Sequence, residues 1–210
     1  AGLAAVPRSS RAPRAMASPQ PPRLEEERTE PALAPGDVDL SETRLVDVDL
    51  SGARLGGMRL VDVVVDRGNL ANLAAPEPSL WRVAISGARL TGAQWTRGMI
   101  TDVVFRDCRI DLATFAGTTF ERTTFDGCLL AQADFREALL RSVRFDGCDL
   151  TEADVTGLRI DRCELRGCTL NGVTGLERLR GAAMPWADVV GHAGLFAAAL
   201  GIRTLDEDER

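Results

Sequence analysis

The chain of 210 residues contains no lysine, no tyrosine and only one histidine, His192. All 25 of its basic residues are arginines, which suggests a GC-rich genome and says nothing about mechanism. No apolar run approaches the ~20 residues that a membrane-spanning helix needs. The five cysteines include no Cys-x-x-Cys pair, and no second histidine is available to complete a zinc site. We therefore expect no metal, no cofactor and no membrane span.

Signals of catalysis are equally scarce. No Ser/His/Asp constellation and no glycine-rich phosphate loop is visible, and His192 stands among apolar neighbours, where a satisfied or surface histidine is more common than a catalytic base. The carboxylates are scattered over the chain instead of being paired for acid and base chemistry. The sequence therefore predicts a protein that is not an enzyme.

The feature that is present is a period of five. Large apolar residues occupy every fifth position from Leu40 to Leu170, 27 positions in all, with Ala75 as the one small exception. A mostly small or compact residue stands two positions before each of them. Neither a helix, with its period of 3.6, nor a strand, with its period of two, produces this pattern. A self-similar array of this kind indicates a solenoid, whose units bury their apolar residues by stacking on one another.

The repeat unit resembles that of the pentapeptide-repeat family, with a small residue, Asp or Asn, then Leu or Phe. Clear examples are residues 48–52 (VDLSG), 133–137 (ADFRE) and 148–152 (CDLTE). The resemblance covers about two thirds of the chain. It implies an all-β fold, a right-handed quadrilateral β-helix of about seven coils with four pentapeptides per coil.

Residues 20 apart support that coil length, because they sort by type. Three groups are an alanine column, a cysteine column and a phenylalanine column: Ala53, Ala93, Ala113, Ala133 and Ala153; Cys108, Cys128, Cys148 and Cys168; Phe105, Phe125 and Phe145. We expect stacked rings in the phenylalanine column and an interior ladder of reduced thiols in the cysteine column.

The large and small slots are exchanged at Leu73 and Ala75, and Ala75 stands next to Trp95 in its column. With Pro76 and Pro78 close by, we expect a distorted corner at residues 73–79.

The chain divides into three parts. Residues 1–35 lack the rhythm and are rich in Pro, Ala and Arg, so we expect a disordered tail. Residues 36–175 form the solenoid. Residues 176–210 contain a helix at about 189–200, with Asp188 as its N-cap, followed by an acidic tail.

No apolar signal-peptide core is present, which favours the bacterial cytoplasm. Met16 is a candidate natural start, and a transit peptide is the alternative.

The outward slots are where we expect function to reside. One pentapeptide-repeat group mimics a DNA duplex and binds DNA gyrase or its relatives, so the resemblance suggests a type II topoisomerase (gyrase or topoisomerase IV) as partner, without direct nucleic-acid binding. The candidate acidic surface is Asp66, Asp107, Asp126 and Asp146. Residues 36–175 carry 21 acids and 16 arginines, however, and such mixed charge is also typical of a solvated wall.

Two other surfaces compete with the acidic one. An outward apolar patch comprises Val61, Val64, Trp81, Met99 and Val104, and it indicates a general protein-binding scaffold unless the N-terminal segment or the Pro76–Pro78 corner covers it. The C-terminal helix, through Val189, Phe196 and Leu200, either caps the open end of the solenoid, or forms a homodimer contact, or does both.

Overall fold

The chain forms a solenoid of parallel strands, one strand per coil. The structure is a computed structural model that describes residues 16–24, 28–29 and 36–203. Its strands follow one another in chain order within a single sheet. They are β1 (Arg28–Thr29), β2 (Val38–Val46), β3 (Met58–Asp66), β4 (Ser79–Ser86), β5 (Met99–Arg106), β6 (Thr119–Asp126), β7 (Leu139–Asp146) and β8 (Arg159–Arg166). Six turns separate β2 from β8, so the predicted β-helix is confirmed.

The strands stack in the predicted register of 20 residues. Thr43 of β2 lies beside Val63 of β3, which lies beside Val83 of β4. Each strand covers two adjoining sides of its coil, and single-residue bridges such as Asp49 with Asn69 join the other two sides. The residue columns inferred from the sequence are therefore real stacks of neighbouring side chains.

Each coil turns at four corners, and the corner residue has a left-handed backbone at every corner from Glu42 to Gly172 except Gly57. In the coil that contains β5 these residues are Arg97, Asp102, Asp107 and Leu112, with φ values of 55°, 55°, 50° and 59°. Glycine fills the same slot at many other corners, for example Gly117, because it lacks the Cβ that makes this conformation costly. The quadrilateral cross-section is thus set by one slot of the repeat.

The core contains the fifth-residue positions, as the period predicts, together with the mostly small residues two positions before them. All 27 are buried except Leu40 and Ile160, which are half-buried because they belong to the first and last coils. Phe125 stacks on Phe105 and on Phe145 with ring centroids 4.8 Å apart on either side. The five cysteines are buried and free.

The prolines near Ala75 leave the coil undistorted, contrary to the prediction for residues 73–79. The Ala75 N–H donates to the Gln94 carbonyl (2.9 Å), and the Pro78 carbonyl accepts from the Met99 N–H (2.8 Å). At the slot of Pro76, other coils direct the N–H to a nearby side chain and not to the next coil, as Arg136 does with Asp134. Proline at that slot therefore removes no bond between coils.

The C-terminal part closes the solenoid with short helices. A 3-10 helix (Leu176–Leu179) is followed by α1 (Trp186–Gly191) and α2 (Ala193–Ala199). The single helix predicted at 189–200 with Asp188 as N-cap is wrong, because α1 begins earlier, after Pro185, and His192 separates it from α2. In the described part of the chain, no helix has the length and apolar character to cross a lipid bilayer.

Part of the N-terminal tail contacts the coils. The backbone N–H groups of Gln20 and Arg23 donate to the carboxylates of Asp102 and Asp62, at 3.1 and 2.9 Å. Residues 16–24 thus differ from the disorder expected of residues 1–35, because buried carboxylates bind their backbone. The rest of that tail apart from β1, and the acidic tail after residue 203, lie outside the described residues.

Candidate interaction surfaces

The four predicted acidic residues lie along one corner of the solenoid. Asp66, Asp126 and Asp146 end β3, β6 and β7, and Asp107 directly follows β5. Asp126 and Asp146 are neighbours on adjacent coils. Ser86 and Arg106 interrupt the same column between Asp66 and Asp126. We call these four aspartates the acidic corner.

Arginines neutralise part of the acidic corner. Arg67 binds both Asp66 (2.9 Å) and Asp47 (3.0 Å), and Arg106 binds Asp126 (3.1 Å). Asp107 and Asp146 form no ion pair with any described residue. Exposed pairs of this kind are screened by solvent, so they change the sign of the local potential more than they stabilise the fold. The corner therefore carries mixed charge, with its free acids between β5 and β7.

The apolar patch lies on two adjoining sides of the solenoid, in β3, β4 and β5. Trp81 is 46% exposed and Met99 56% exposed, whereas Val61, Val64 and Val104 are half-buried. Val61 pairs in register with Trp81. Val64 and Val104 lie on the next side, with Ala84 between them. The structure thus brings the predicted patch together in two halves, one on each side of a corner.

That corner contains a column of buried charges that the sequence reading missed. Asp62, Arg82 and Asp102 are buried, and Arg122 follows them in the same column, so the charges alternate in sign from coil to coil. Arg82 Nε lies 2.6 Å from Asp62 Oδ1, and Arg122 Nε lies 2.8 Å from Asp102 Oδ1. Both arginines also bind the second carboxylate oxygen. We call Asp62, Arg82, Asp102 and Arg122 the charge column.

The charge column keeps its carboxylates ionised. The Arg82 hydrogen bond holds the pKa of Asp62 below its ordinary value, against the effect of burial. Burial acts to raise the pKa of Asp102, but hydrogen bonds from Arg122 and from the Gln20 backbone outweigh it and leave this pKa lowered. The Arg82 guanidinium carbon also lies 3.5 Å from the Trp81 ring centroid, in a cation–π contact. Reading the outward slots at 20-residue spacing reveals this alternation of charge.

The C-terminal helices satisfy backbone groups that the last coil leaves open. In the coil before the last, the Gly147 N–H donates to a backbone carbonyl of the next coil. At the equivalent position of the last coil, the Gly167 N–H donates instead to the Asp188 carboxylate at 2.7 Å. The Cys168 carbonyl accepts a hydrogen bond from His192 Nε2 at 2.9 Å, so that nitrogen carries the proton. Asp188 and His192 therefore supply hydrogen-bond partners that a further coil would otherwise provide.

The predicted cap or dimer residues surround one apolar groove. Val189, Phe196 and Leu200 line an open cavity of about 920 Å³ beside the 3-10 helix. Phe196 is half-buried against the core, which agrees with a capping role, whereas Leu200 remains 74% exposed. The described residues thus leave the apolar surface of this groove unfilled.

Among the residues that the structure describes, no three His, Cys, Asp or Glu side chains form a metal-binding group.

A family model described as a pentapeptide repeat region matches residues 98–174. Residues 98–174 are therefore a pentapeptide-repeat region. The five-residue register of this family continues through the structure on the N-terminal side of the matched region, as far as β2.

Solved pentapeptide-repeat structures resemble this one at low identity. HetL from the cyanobacterium Nostoc sp. strain PCC 7120, a protein involved in heterocyst differentiation regulation, is 23% identical, with 77% of this chain and 88% of HetL covered and a TM-score of 0.49. Trypsin-treated QnrB1, a plasmid-mediated fluoroquinolone resistance protein, is 16% identical, with 84% and 99% covered and a TM-score of 0.32. Rfr23 from the cyanobacterium Cyanothece 51142 is 15% identical, with 68% and 88% covered and a TM-score of 0.22. No curated protein matches the sequence significantly.

Proposed function

We propose that this pentapeptide-repeat protein is a non-enzymatic solenoid that binds a protein partner through its apolar patch. The observation that carries the proposal is Trp81, a large aromatic side chain that is nearly half exposed in the middle of a regular, well-packed side of the solenoid. Tryptophan is among the residues that contribute most to binding at protein interfaces. Met99, on the same side, adds a flexible apolar contact.

The test is affinity capture with the full chain and two matched variants. Trp81→Asp places a charge in the patch, and Leu129→Asp places the same charge at a site of nearly equal exposure (45%) on another side. A partner that uses the patch is captured by the wild type and by Leu129→Asp and is lost with Trp81→Asp. The captured protein is then purified and its affinity measured directly. Equal affinity for both variants rules out the patch.

A type II topoisomerase is the second candidate partner, and the acidic corner favours it. Asp107, Asp126 and Asp146 lie on successive coils, which repeat at about 4.8 Å, and two of the three form no ion pair with a described residue. A negatively charged rod fits a basic channel that normally accepts a DNA duplex. Such a partner would also place the protein in the bacterial cytoplasm.

The topoisomerase candidate is tested by adding the purified chain to supercoiling and fluoroquinolone-protection assays with gyrase and topoisomerase IV. We expect inhibition or protection at micromolar or lower concentration, weakened by salt. Reversing Asp107, Asp126 and Asp146 to Arg should abolish the effect, whereas the same reversal of Glu77, Glu137 and Glu152, exposed acids elsewhere, should not. No effect of the wild type on the enzymes of its own host excludes this candidate.

We also propose a homodimer through the apolar groove at the C-terminus. The exposed Leu200 side chain at the edge of this groove supports the proposal, because a second copy offers the apolar surface that the groove lacks. Leu200→Asp should convert a dimer to a monomer in sedimentation. Ile202→Asp, at an exposed apolar residue outside the groove lining, should leave the dimer intact. A monomeric wild type would contradict the proposal.

A further inference from the structure

The charge column is an unusual place for buried ionic groups, because it lies at an outward corner. Asp62 and Asp102 are 5% and 1% exposed, yet both belong to corner positions with left-handed backbone. Burying a charge is costly unless it is paired and hydrogen-bonded. Arg82 and Arg122 provide the pairing from within the column. Each of the two carboxylates also accepts one hydrogen bond from outside the coils.

Those external hydrogen bonds come from residues 16–24, which we call the strap. The Gln20 N–H donates to Asp102 Oδ1, and the Arg23 N–H donates to Asp62 Oδ1. The strap therefore crosses from the coil of β5 to the coil of β3 as the chain proceeds. It lies on the corner that divides the two halves of the apolar patch.

The spacing of the two donors matches the spacing of the two acceptors. Asp62 and Asp102 are two coils apart, which corresponds to about 10 Å at the usual strand separation. An extended polyproline-type segment advances about 3.1 Å per residue, or roughly 9 Å from Gln20 to Arg23. Three residues of such a segment thus span two coils, so both N–H groups reach their carboxylates.

The strap sequence from Met16 to Arg23 fits this geometry. Met16, Pro19 and Pro22 are half-buried with the spacing of three that the turn of a polyproline helix produces, and Leu24 at the end of the strap is half-buried as well. Each donor directly follows one of the two half-buried prolines, in the dipeptides Pro19–Gln20 and Pro22–Arg23. A proline in place of either donor would keep the extended backbone but would have no N–H.

We propose that the charge column is a binding site for extended, proline-rich peptide segments, and that the strap is its ligand within this chain. The site recognises two backbone N–H groups three residues apart through Asp62 and Asp102. A half-buried proline immediately before each donor makes the apolar contact. This proposal does not depend on the partner of the apolar patch or of the acidic corner.

Hydrogen exchange in the full chain tests the bound strap. We expect the amide protons of Gln20 and Arg23 to exchange at least roughly tenfold more slowly than in a free peptide of residues 16–24, because both are hydrogen-bonded. Gln20→Pro should accelerate exchange at Arg23, and Arg23→Pro should accelerate exchange at Gln20. Ser18→Pro is the control, since the Ser18 N–H has no hydrogen bond within the described residues. Wild-type amides that exchange at the peptide rate would overturn the proposal.

A second experiment supplies the ligand as a separate molecule. The full chain carrying Gln20→Pro, Arg23→Pro and Trp186→Phe has a released strap, and its remaining tryptophans are Trp81 beside the site and Trp95, which is 1% exposed. A peptide of residues 16–24 should produce a saturable change in fluorescence at concentrations up to about 1 mM, the range that a short tether supplies.

The control for that titration is the same peptide with prolines at positions 20 and 23. It should bind at least roughly tenfold more weakly, because it lacks both hydrogen bonds to charged acceptors. Slow exchange of the β4 and β5 amides in the same samples verifies that the coils stay folded. Equal binding of the two peptides, or binding of neither, would overturn the proposal.

Discussion

A single corner residue illustrates what the repeat demands of each side chain. Leu112 is an exposed leucine whose backbone is left-handed, with φ of 59°. A left-handed conformation costs roughly 1–2 kcal/mol for a residue with a Cβ. Other coils have glycine at the same corner, at Gly92 and Gly172. Non-glycine corners are therefore positions where the fold tolerates strain that one substitution can remove.

Leu112→Gly should raise the free energy of unfolding by up to about 1 kcal/mol, because glycine relieves the left-handed strain and removes an exposed apolar side chain. Thermal or urea unfolding measures the change. Leu129→Gly, at an exposed leucine outside the corners, should instead destabilise the protein, since glycine there only adds chain entropy to the unfolded state. Destabilisation of similar size in both variants would contradict the strain at Leu112.

Phe125→Ala should lower the free energy of unfolding by roughly 3–5 kcal/mol, because it opens a cavity in the middle of a stacked column. Phe125 is fully buried and stacks on a ring in each adjacent coil. Phe125→Leu is the matched control and should cost less, since it retains most of the volume. A loss below about 1 kcal/mol for Phe125→Ala would mean that the neighbouring coils collapse into the space.

At the scale of elements, the charge column connects coils that the backbone ladder already joins. Arg82 and Arg122 each bind an aspartate of the preceding coil with two nitrogens. Breaking a buried pair by removing one partner is strongly destabilising, because the other charge is left unpaired. The column also determines where the strap binds, so the same residues serve packing and recognition.

The lowered pKa values of Asp62 and Asp102 predict acid sensitivity. A carboxyl whose pKa is lower in the folded state stabilises fully above its unfolded value of about 3.9, and this contribution is lost as pH falls through the folded value. Urea midpoints measured from pH 6 to pH 2 should fall steeply for the wild type. Asp62→Asn should be less stable at pH 6 and show a shallower fall.

The control for this pH series is Asp39→Asn, which removes an exposed carboxylate 3.1 Å from Arg59. Its stability should follow the wild type across the range, because solvent screens an exposed pair. An unchanged slope in Asp62→Asn would show that other carboxylates dominate acid unfolding.

The sequence alone predicted the elements whose residues repeat and missed those that do not. Phe105, Phe125 and Phe145 share a column because the period of five places them 20 apart, and packing then leaves them no other arrangement. The strap has no such rhythm, and its bonds use backbone N–H groups, which any residue except proline provides. Asp188 has the side chain of a helix N-cap, but the open edge at Gly167 binds it instead.

For the whole molecule, the ends matter because a repeat array exposes unsatisfied groups at its last coil. Here the C-terminal part covers that coil with Leu176, Leu179 and Phe196, and it supplies Asp188 and His192 to the open backbone groups. Without this cover, the last coil would present apolar side chains and free hydrogen-bonding groups to a second solenoid.

Deleting residues 186–210 should therefore lower the melting temperature and promote association of the truncated chains, measured by scanning calorimetry and sedimentation. The double variant Asp188→Ala/His192→Ala is the milder test, because it removes only the two substitute hydrogen bonds. It should lower the melting temperature without the large increase in association. A deletion that leaves both melting and sedimentation unaltered would remove the helices from this role.

The strap has a consequence for how such a protein can change length during evolution. Each coil is a block of 20 residues, and α1 contacts the last coil through Gly167. A block gained or lost after Asp102 therefore preserves both the strap contacts at the N-terminal end and the helix contacts at the C-terminal end. A block gained between Asp62 and Asp102 would instead separate the two acceptors by a third coil, beyond the reach of donors three residues apart. The number of coils between Asp62 and Asp102 is thus fixed by the strap, and relatives that keep the strap should vary in length outside that interval.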